Sequence, residues 1–192
     1  MHDPLLKYIS NYTGATLTPE EEAEIKGAFV PKKLRKKQYL LQEGDVSKYM
    51  AFIVHGAMRQ YSVDEKGAEH IIQLAIENWW IGDRESFLML TPSAYNIDAW
   101  EDSELLTITK ADLLQLYEHI PSMTAMARQM DDRNAFANQR RLNATISFSA
   151  EKRYLDFTKT HPDFLQRFPQ HLIASYLGFT KETLSRIRKQ AI

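Results

Sequence analysis

The spacing of apolar residues changes character twice along this chain. Up to about Phe29 it is helical. Leu5, Leu6 and Ile9 share one side, and Thr18-Pro19-Glu20-Glu21-Glu22 then reads as a helix start, with Thr as N-cap, Pro at the first helical position and carboxylates at the positive helix end. Ala23, Ile25 and Phe29 supply its apolar side, and Pro31 closes it. From Leu34 to about Thr109 the pattern is short and extended. Tyr39-Leu40-Leu41 runs into the turn Glu43-Gly44-Asp45, and Met50 to Val54 is an apolar run broken at His55-Gly56. Met58 to Val63 alternates, Asp64-Glu65-Lys66-Gly67 forms a hairpin turn, and Ala68 to Ile76 alternates again with Ile72, Leu74 and Ile76 on one face. Tyr95 to Trp100 and Leu105 to Thr109 are further strands, while Arg84 to Leu90 reads as a short helix after Ile81-Gly82-Asp83. Short strands spaced by Gly and Asp turns predict an antiparallel sandwich or jelly roll.

After Lys110 the period is helical again. Met123, Met126, Ala127 and Met130 are spaced i, i+3, i+4, i+7, and Phe136, Leu142 and Ile146 continue the stripe less strictly. A helix from Ser122 to about Thr145 would be roughly 36 Å long, and its Met-rich stripe reads as a contact surface. Ser149 caps a fresh helix that His161-Pro162 stops near Thr160.

The last stretch is the most specific. Pro169 to Leu177 is a short helix with Leu172, Ile173, Tyr176 and Leu177 apolar, and Gly178 stands where a C-cap needs a left-handed residue. Phe179 packs the turn, Thr180 is an N-cap, and Lys181 opens a second helix with Leu184 and Ile187 inward. Lys181, Glu182, Ser185, Arg186 and Arg188 are left for the outer surface. A helix, a glycine turn and a second helix with a basic, hydrogen-bonding face is the pattern of a DNA-reading helix-turn-helix.

Charge agrees once it is divided. The net charge of −1 over 192 residues hides twelve basic and nineteen acidic residues in Met1–Ala127, a balance of −7, against twelve and six in Arg128–Ile192, a balance of +6. The basic back half suits a polyanion. Hydrophobic residues at 44% and charged residues at 26% fit an ordinary globular chain, so disorder and a bare coiled coil are excluded. The absence of cysteine excludes a disulfide scaffold, a cysteine nucleophile, thiolate zinc and a cysteine-held iron–sulfur cluster. Met1-His2-Asp3-Pro4 has neither basic n-region nor apolar core, and no window approaches about eighteen uninterrupted apolar residues, so a cytoplasmic protein without membrane contact is expected.

These residues together resemble the Crp/Fnr family of bacterial transcription regulators. The resemblance covers nearly the whole chain. It rests on Glu43-Gly44-Asp45, Phe52-Ile53-Val54-His55-Gly56, Ile81-Gly82-Asp83, and most specifically Tyr176-Leu177-Gly178-Phe179-Thr180-Lys181-Glu182-Thr183-Leu184-Ser185-Arg186. It implies an α+β fold: an N-terminal antiparallel β-roll of the double-stranded jelly-roll type with flanking helices (1–120), a long dimerisation helix (121–147) and a helix-turn-helix domain (148–192). The base-reading roles fall on Lys181, Glu182 and Arg186. Independently, an Arg can bond guanine O6 and N7 in a bidentate way and a Glu can accept from cytosine N4. Thr180, Thr183, Ser185 and Lys189 are assigned to phosphate contacts, and the Lys at 181, where the family commonly has Arg, also suits a phosphate. Met123, Met126, Met130 and Phe136 are assigned to the dimer interface. The implied partners are double-stranded DNA, a second copy of the chain, and RNA polymerase.

Two departures matter. The family's nucleotide-binding members open a cassette with Gly-Glu and place Arg-Ser or Arg-Thr about eleven residues on, the Arg pairing with the cyclic phosphate. Here the opening is Gly82-Asp83, and Thr91-Pro92-Ser93-Ala94-Tyr95-Asn96 contains no Arg. A buried phosphate without a cation is costly, which argues against cyclic AMP held in the usual manner. The effector pocket is assigned to Ile81, Gly82, Asp83, Ser93, Ala94 and Tyr95, with its effector unidentified. The family also continues into a β-hairpin wing; with Ile192 following Arg188 by four residues, the wing is expected to be absent or reduced, leaving backbone contacts to Lys189 and Arg140-Arg141.

Rival readings have less behind them. The six histidines show no HxH, HExxH or i, i+4 pairing, so a cupin-type metalloenzyme lacks its ligands and no metal is expected. No G-x-S-x-G, P-loop or G-x-G-x-x-G occurs, and no enzyme is expected. The run Lys32-Lys33-Leu34-Arg35-Lys36-Lys37 reads as a solvated strand edge or a nucleic-acid contact, and Trp79-Trp80 as core or an aromatic ligand pocket. The alternative function is a small-molecule or cyclic-nucleotide binding protein without a DNA role.

Overall fold

Continuous apolar runs such as Met50–Val54 arise where a strand is buried on both faces. The computed structural model describes residues 1–190; Ala191 and Ile192, and with them the chain end that bears on the expected loss of the wing, lie outside the described residues. Two four-stranded antiparallel sheets are built from β1 (Val30–Leu34), β2 (Tyr39–Leu41), β3 (Met50–His55), β4 (Met58–Val63), β5 (Glu69–Ala75), β6 (Trp80–Ile81), β7 (Asn96–Ala99) and β8 (Ser103–Ile108). One sheet has the order β1-β8-β3-β6 and the other β2-β7-β4-β5. Ala51 and Ile53 of β3 and Leu105 of β8 join Leu41, Met58, Ile81 and Ile97 in one apolar cluster. Phe52 and Leu106, one residue out of phase, join the cluster formed with the helices.

Those helices are α1 (Asp3–Thr13), α2 (Pro19–Ala28), α4 (Lys110–His119) and the start of α5 (Pro121–Ser147). The expected Thr18 cap is a full capping box: Glu21 N–H donates to Thr18 Oγ1 at 3.2 Å and Thr18 N–H to Glu21 Oε2 at 2.8 Å. Ile25 and Phe29 are buried as expected, but Ala23 is exposed, because it lies about 200° around the helix from Ile25. Trp80 packs edge-on against Phe29 and Phe52, with centroids 5.9 and 5.5 Å away. The Asp83 carboxylate caps α3 (Arg84–Met89).

Two expectations change. Pro31 does not separate a helix from later strands; it sits within β1 opposite Leu106, tolerated because β1 is a sheet edge that needs no Pro N–H. The run Lys32–Lys37 begins on that edge, and Lys33 pairs with Glu104. On β5, Ile71, Leu74 and Ala75 are buried whereas Ile72 and Ile76 are only partly so, since both faces of the strand find cover. At the His55-Gly56 turn φ is +97°, and a Cβ would come within 2.6 Å of the Asp102 carbonyl oxygen, so only glycine fits.

The chain divides into two units, Met1–Ser62 with Gln73–Asp131, and Val63–Ile72 with Asp132–Ile192. The division falls within α5 and sends the β4–β5 turn to the second unit, unlike the three consecutive segments read from sequence. In the second unit α6 (Ala150–Thr160), α7 (Pro162–Arg167), α8 (Gln170–Tyr176) and α9 (Lys181–Gln190) enclose Phe157, Phe164, Phe168, Leu172, Ile173, Leu184 and Ile187. Pro162 ends α6 as expected and also opens α7, where its missing N–H costs nothing. Among the described residues no helix is long and apolar enough to cross a membrane.

Candidate nucleic-acid interface

Helix α8 ends in a backbone motif that turns the chain sharply. Gly178 N–H bonds the Ser175 carbonyl and Phe179 N–H the Ala174 carbonyl, each at 3.0 Å, with Gly178 at φ +74°. This is a Schellman closure, which needs a left-handed residue at Gly178. Two residues later Thr180 starts α9: Thr183 N–H donates to Thr180 Oγ1 at 3.2 Å, and the two hydroxyls lie 3.3 Å apart. Leu184 and Ile187 are buried, which directs the opposite side outward.

On that outer side Lys181, Glu182, Ser185, Arg186 and Lys189 line one shallow concavity of about 430 Å³. All five are exposed, while Thr183 is half-buried in its capping role. Glu182 is held below the usual carboxylate range, first by its own backbone N–H, then by the Thr180 hydroxyl, with the Lys181 charge adding. The face therefore offers a carboxylate acceptor beside a guanidinium and two ammonium groups. Arg141, expected to reach a phosphate backbone, is committed elsewhere: its Nη1 donates to the Ile72 carbonyl at 2.7 Å and its guanidinium lies 4.7 Å from the Tyr176 ring centre.

The expected interface on α5 needs correction. Met123 and Met126 are buried at 0% and 2% exposure in the chain's own core, with Met130 packed against it, so the first two have no surface left for a second copy. Phe136, Leu142 and Ile146 are exposed at 56%, 63% and 75%. At about 100° per residue, Leu142 and Ile146 lie roughly 100–160° around the axis from the three methionines, and Phe136 is on neither line. A single stripe is in fact two faces.

The expected effector residues are brought together only in part. Asp83 and Ser93 are buried; Ser93 Oγ donates to Asp83 Oδ2 at 2.6 Å, and Ser86 N–H donates to Asp83 Oδ1 at 3.2 Å. Tyr95 N–H donates to Ser93 Oγ at 3.0 Å. Ile81 is buried in the apolar cluster of the strands, and Ala94 is exposed. Arg84 gives both terminal nitrogens to the Asp131 carboxylate, a pairing that nothing in the spacing of the two residues announces.

A roll of two four-stranded sheets, with a short helix following Gly82-Asp83, decides the first unit. Residues 31–119 match the cyclic nucleotide-binding domain family. That matched stretch runs from β1 through α4. No curated protein matches the chain. Among solved structures, it is similar to FixK2 from Bradyrhizobium japonicum, at 18% identity and TM-score 0.73 over 84% of this chain and 83% of that one. It is also similar to the catabolite activator protein of Thermus thermophilus, at 20% and 0.60 over 93% and 85%. A third is the c-di-GMP-responsive global regulator CLP of Xanthomonas campestris, at 12% and 0.70 over 91% of each chain. These likenesses are of fold, and each covers more of this chain than the matched stretch 31–119.

The domain's name implies a cyclic nucleotide, and the cassette residues do not fit its phosphate. They supply a carboxylate and a hydroxyl already bonded to each other, where an anion needs a cation. Arg84, the Arg that follows Asp83, is held by Asp131. Among the described residues no group of three or more His, Asp or Glu could hold a metal ion.

Proposed function

We propose that this chain is a sequence-specific DNA-binding transcription regulator of the Crp/Fnr type. It acts as a homodimer and places one α9 per copy in the major groove, about 34 Å apart on a two-fold site. The observation that carries this reading is the outer face of α9, where Lys181, Glu182, Ser185 and Arg186 stand exposed on a helix anchored by Leu184 and Ile187. Arg186 and Glu182 read bases, and Lys181, Ser185 and Lys189 hold phosphates. The cyclic nucleotide-binding domain shifts the helices between DNA-competent and incompetent arrangements in response to an effector other than a phosphate held at the cassette. RNA polymerase is the partner on which such a regulator acts.

The test is selection of binding sites from random duplex by the full chain, beside Arg186→Ala. The wild type is expected to enrich a two-fold sequence, and Arg186→Ala to relax one position per half-site at a cost of about 1–3 kcal/mol. A wild type that enriches no sequence, or an Arg186→Ala protein with the same preference, overturns the assignment.

A further inference from the structure

Resting on the DNA-binding reading, we propose that Arg153 is the positioning residue of the recognition helix. It sits on α6, outside the helix pair, and grips the turn between them. The Schellman closure uses the Ser175 and Ala174 carbonyls and leaves that of Leu177, the last residue before Gly178. Arg153 Nη1 takes it, donating at 2.6 Å, and the same guanidinium lies 5.4 Å from the centre of the Phe179 ring. The two contacts bracket Gly178, where an added Cβ would stand 3.3 Å from Arg153 Nη1. Arg153 Nε is buried without an acceptor among the described residues, so the hold rests on Nη1 and the ring face.

The directional character of these contacts is what assigns the role. Leu184 and Ile187 keep α9 against the core through apolar burial, which is non-directional and tolerates small rotations. A hydrogen bond weakens steeply as its angle closes, and a cation prefers the face of a ring. Both act at the pivot from which α9 departs. Arg186 lies six residues past Thr180, roughly 9 Å along the axis, so a tilt of about 10° displaces it by roughly 1.5 Å. A bidentate contact to a base edge spans only about 2.7–3.2 Å and does not survive that shift. Arg153 touches no base, yet it sets whether Arg186 and Glu182 meet theirs. An Arg makes the two contacts with separate parts of one planar group: a Lys retains the charge and its ammonium donors but has no fork that can lie beside the ring while one N–H holds the carbonyl.

The experiment compares full-length wild type, Arg153→Met, Arg153→Lys and Phe179→Leu, each well below its own melting temperature. Affinity for the selected site and for unrelated duplex is measured across a salt series. Arg153→Met is expected to keep its affinity for unrelated duplex, because no phosphate-facing charge is lost, while the ratio of specific to non-specific affinity falls about tenfold or more, the size of one lost base contact. Phe179→Leu, which keeps the carbonyl bond and removes the ring, and Arg153→Lys should each fall between wild type and Arg153→Met. An unchanged ratio in folded Arg153→Met overturns the positioning role, and so does an unchanged ratio in Phe179→Leu should Arg153→Met not fold. A wild type with no preferred sequence overturns the DNA-binding reading itself, a separate and recognisable failure.

Discussion

Replacing Leu142 and Ile146 by Glu asks whether the outward face of α5 joins two copies. Among the described residues the side chains are 63% and 75% exposed, with nothing covering them. Fully burying a Leu or Ile is worth about 1.5–3 kcal/mol, so covering the exposed fraction contributes about 1–2 kcal/mol for each. In a two-fold dimer every position counts twice, giving about 2–4 kcal/mol per substitution, or about thirty- to a thousandfold in the dimer dissociation constant. A carboxylate there adds like-charge repulsion across the axis. Light scattering from about 1 to 100 μM should report about 45 kDa for the wild type, twice the 22.3 kDa chain mass, and one chain mass for Leu142→Glu/Ile146→Glu at the low end. Leu165→Glu, at a 38% exposed position on α7, serves as the control and should leave the mass unchanged. A monomeric wild type at 100 μM, or an undiminished mass in the double variant at 1 μM, refutes the reasoning.

Other perturbations test the two units one at a time. Gly178→Ala forces an L side chain into φ +74° and should lower stability by about 1–2 kcal/mol in a denaturant titration; an unchanged midpoint would show that the turn adopts another backbone. In the second sheet Arg59 makes two bonds to Asp98, 2.8 and 3.0 Å, with side chains 11% and 6% exposed. Asp98→Ala removes the carboxylate that takes two of the Arg59 N–H groups and should cost about 3–5 kcal/mol, whereas Arg59→Met/Asp98→Leu should lie much closer to wild type; equal losses would show that the pair is not the source. Burial holds His161 below the ordinary imidazole range. The unfolded chain then binds the extra proton first, so this contribution is complete above about pH 6.5 and is lost as pH falls toward the folded value. The melting temperature of wild type should accordingly drop more between about pH 7 and pH 5 than that of His161→Gln, and parallel curves would remove His161 as the cause.

Local signals carried much of the architecture into plain view in the sequence. Thr18 with Glu21, Gly44, Gly56, Asp83, Ser149 and Gly178 mark turns and caps whose chemistry is confined to a few neighbouring residues. The face of α9 was legible for the same reason: Leu184 and Ile187 at i, i+3 orient the helix, and the exposed Lys181, Glu182, Ser185 and Arg186 follow from 3.6 residues per turn. The β1 strand was hidden because Pro31 reads locally as a stop, and only the edge position of β1 makes it harmless. The Met123–Ile146 stripe misled because apolar spacing shows that a residue seeks cover and is silent on which surface provides it.

What the sequence determined by itself, then, is whatever depends on residues within about one turn of each other: helix starts and stops, glycine turns, alternation along strands, and the composition of the outer face of α9. The tertiary structure alone decided which partners distant residues meet. It gave Met123 and Met126 to the chain's own core and left Leu142 and Ile146 open. It joined Asp83 to Ser93 and Arg84 to Asp131, and it brought Arg153 to the Leu177 carbonyl across 24 positions. Hydrogen bonds and ion pairs act over a few ångströms in space, so pairings between distant residues are set by how the layers pack and not by any spacing along the chain.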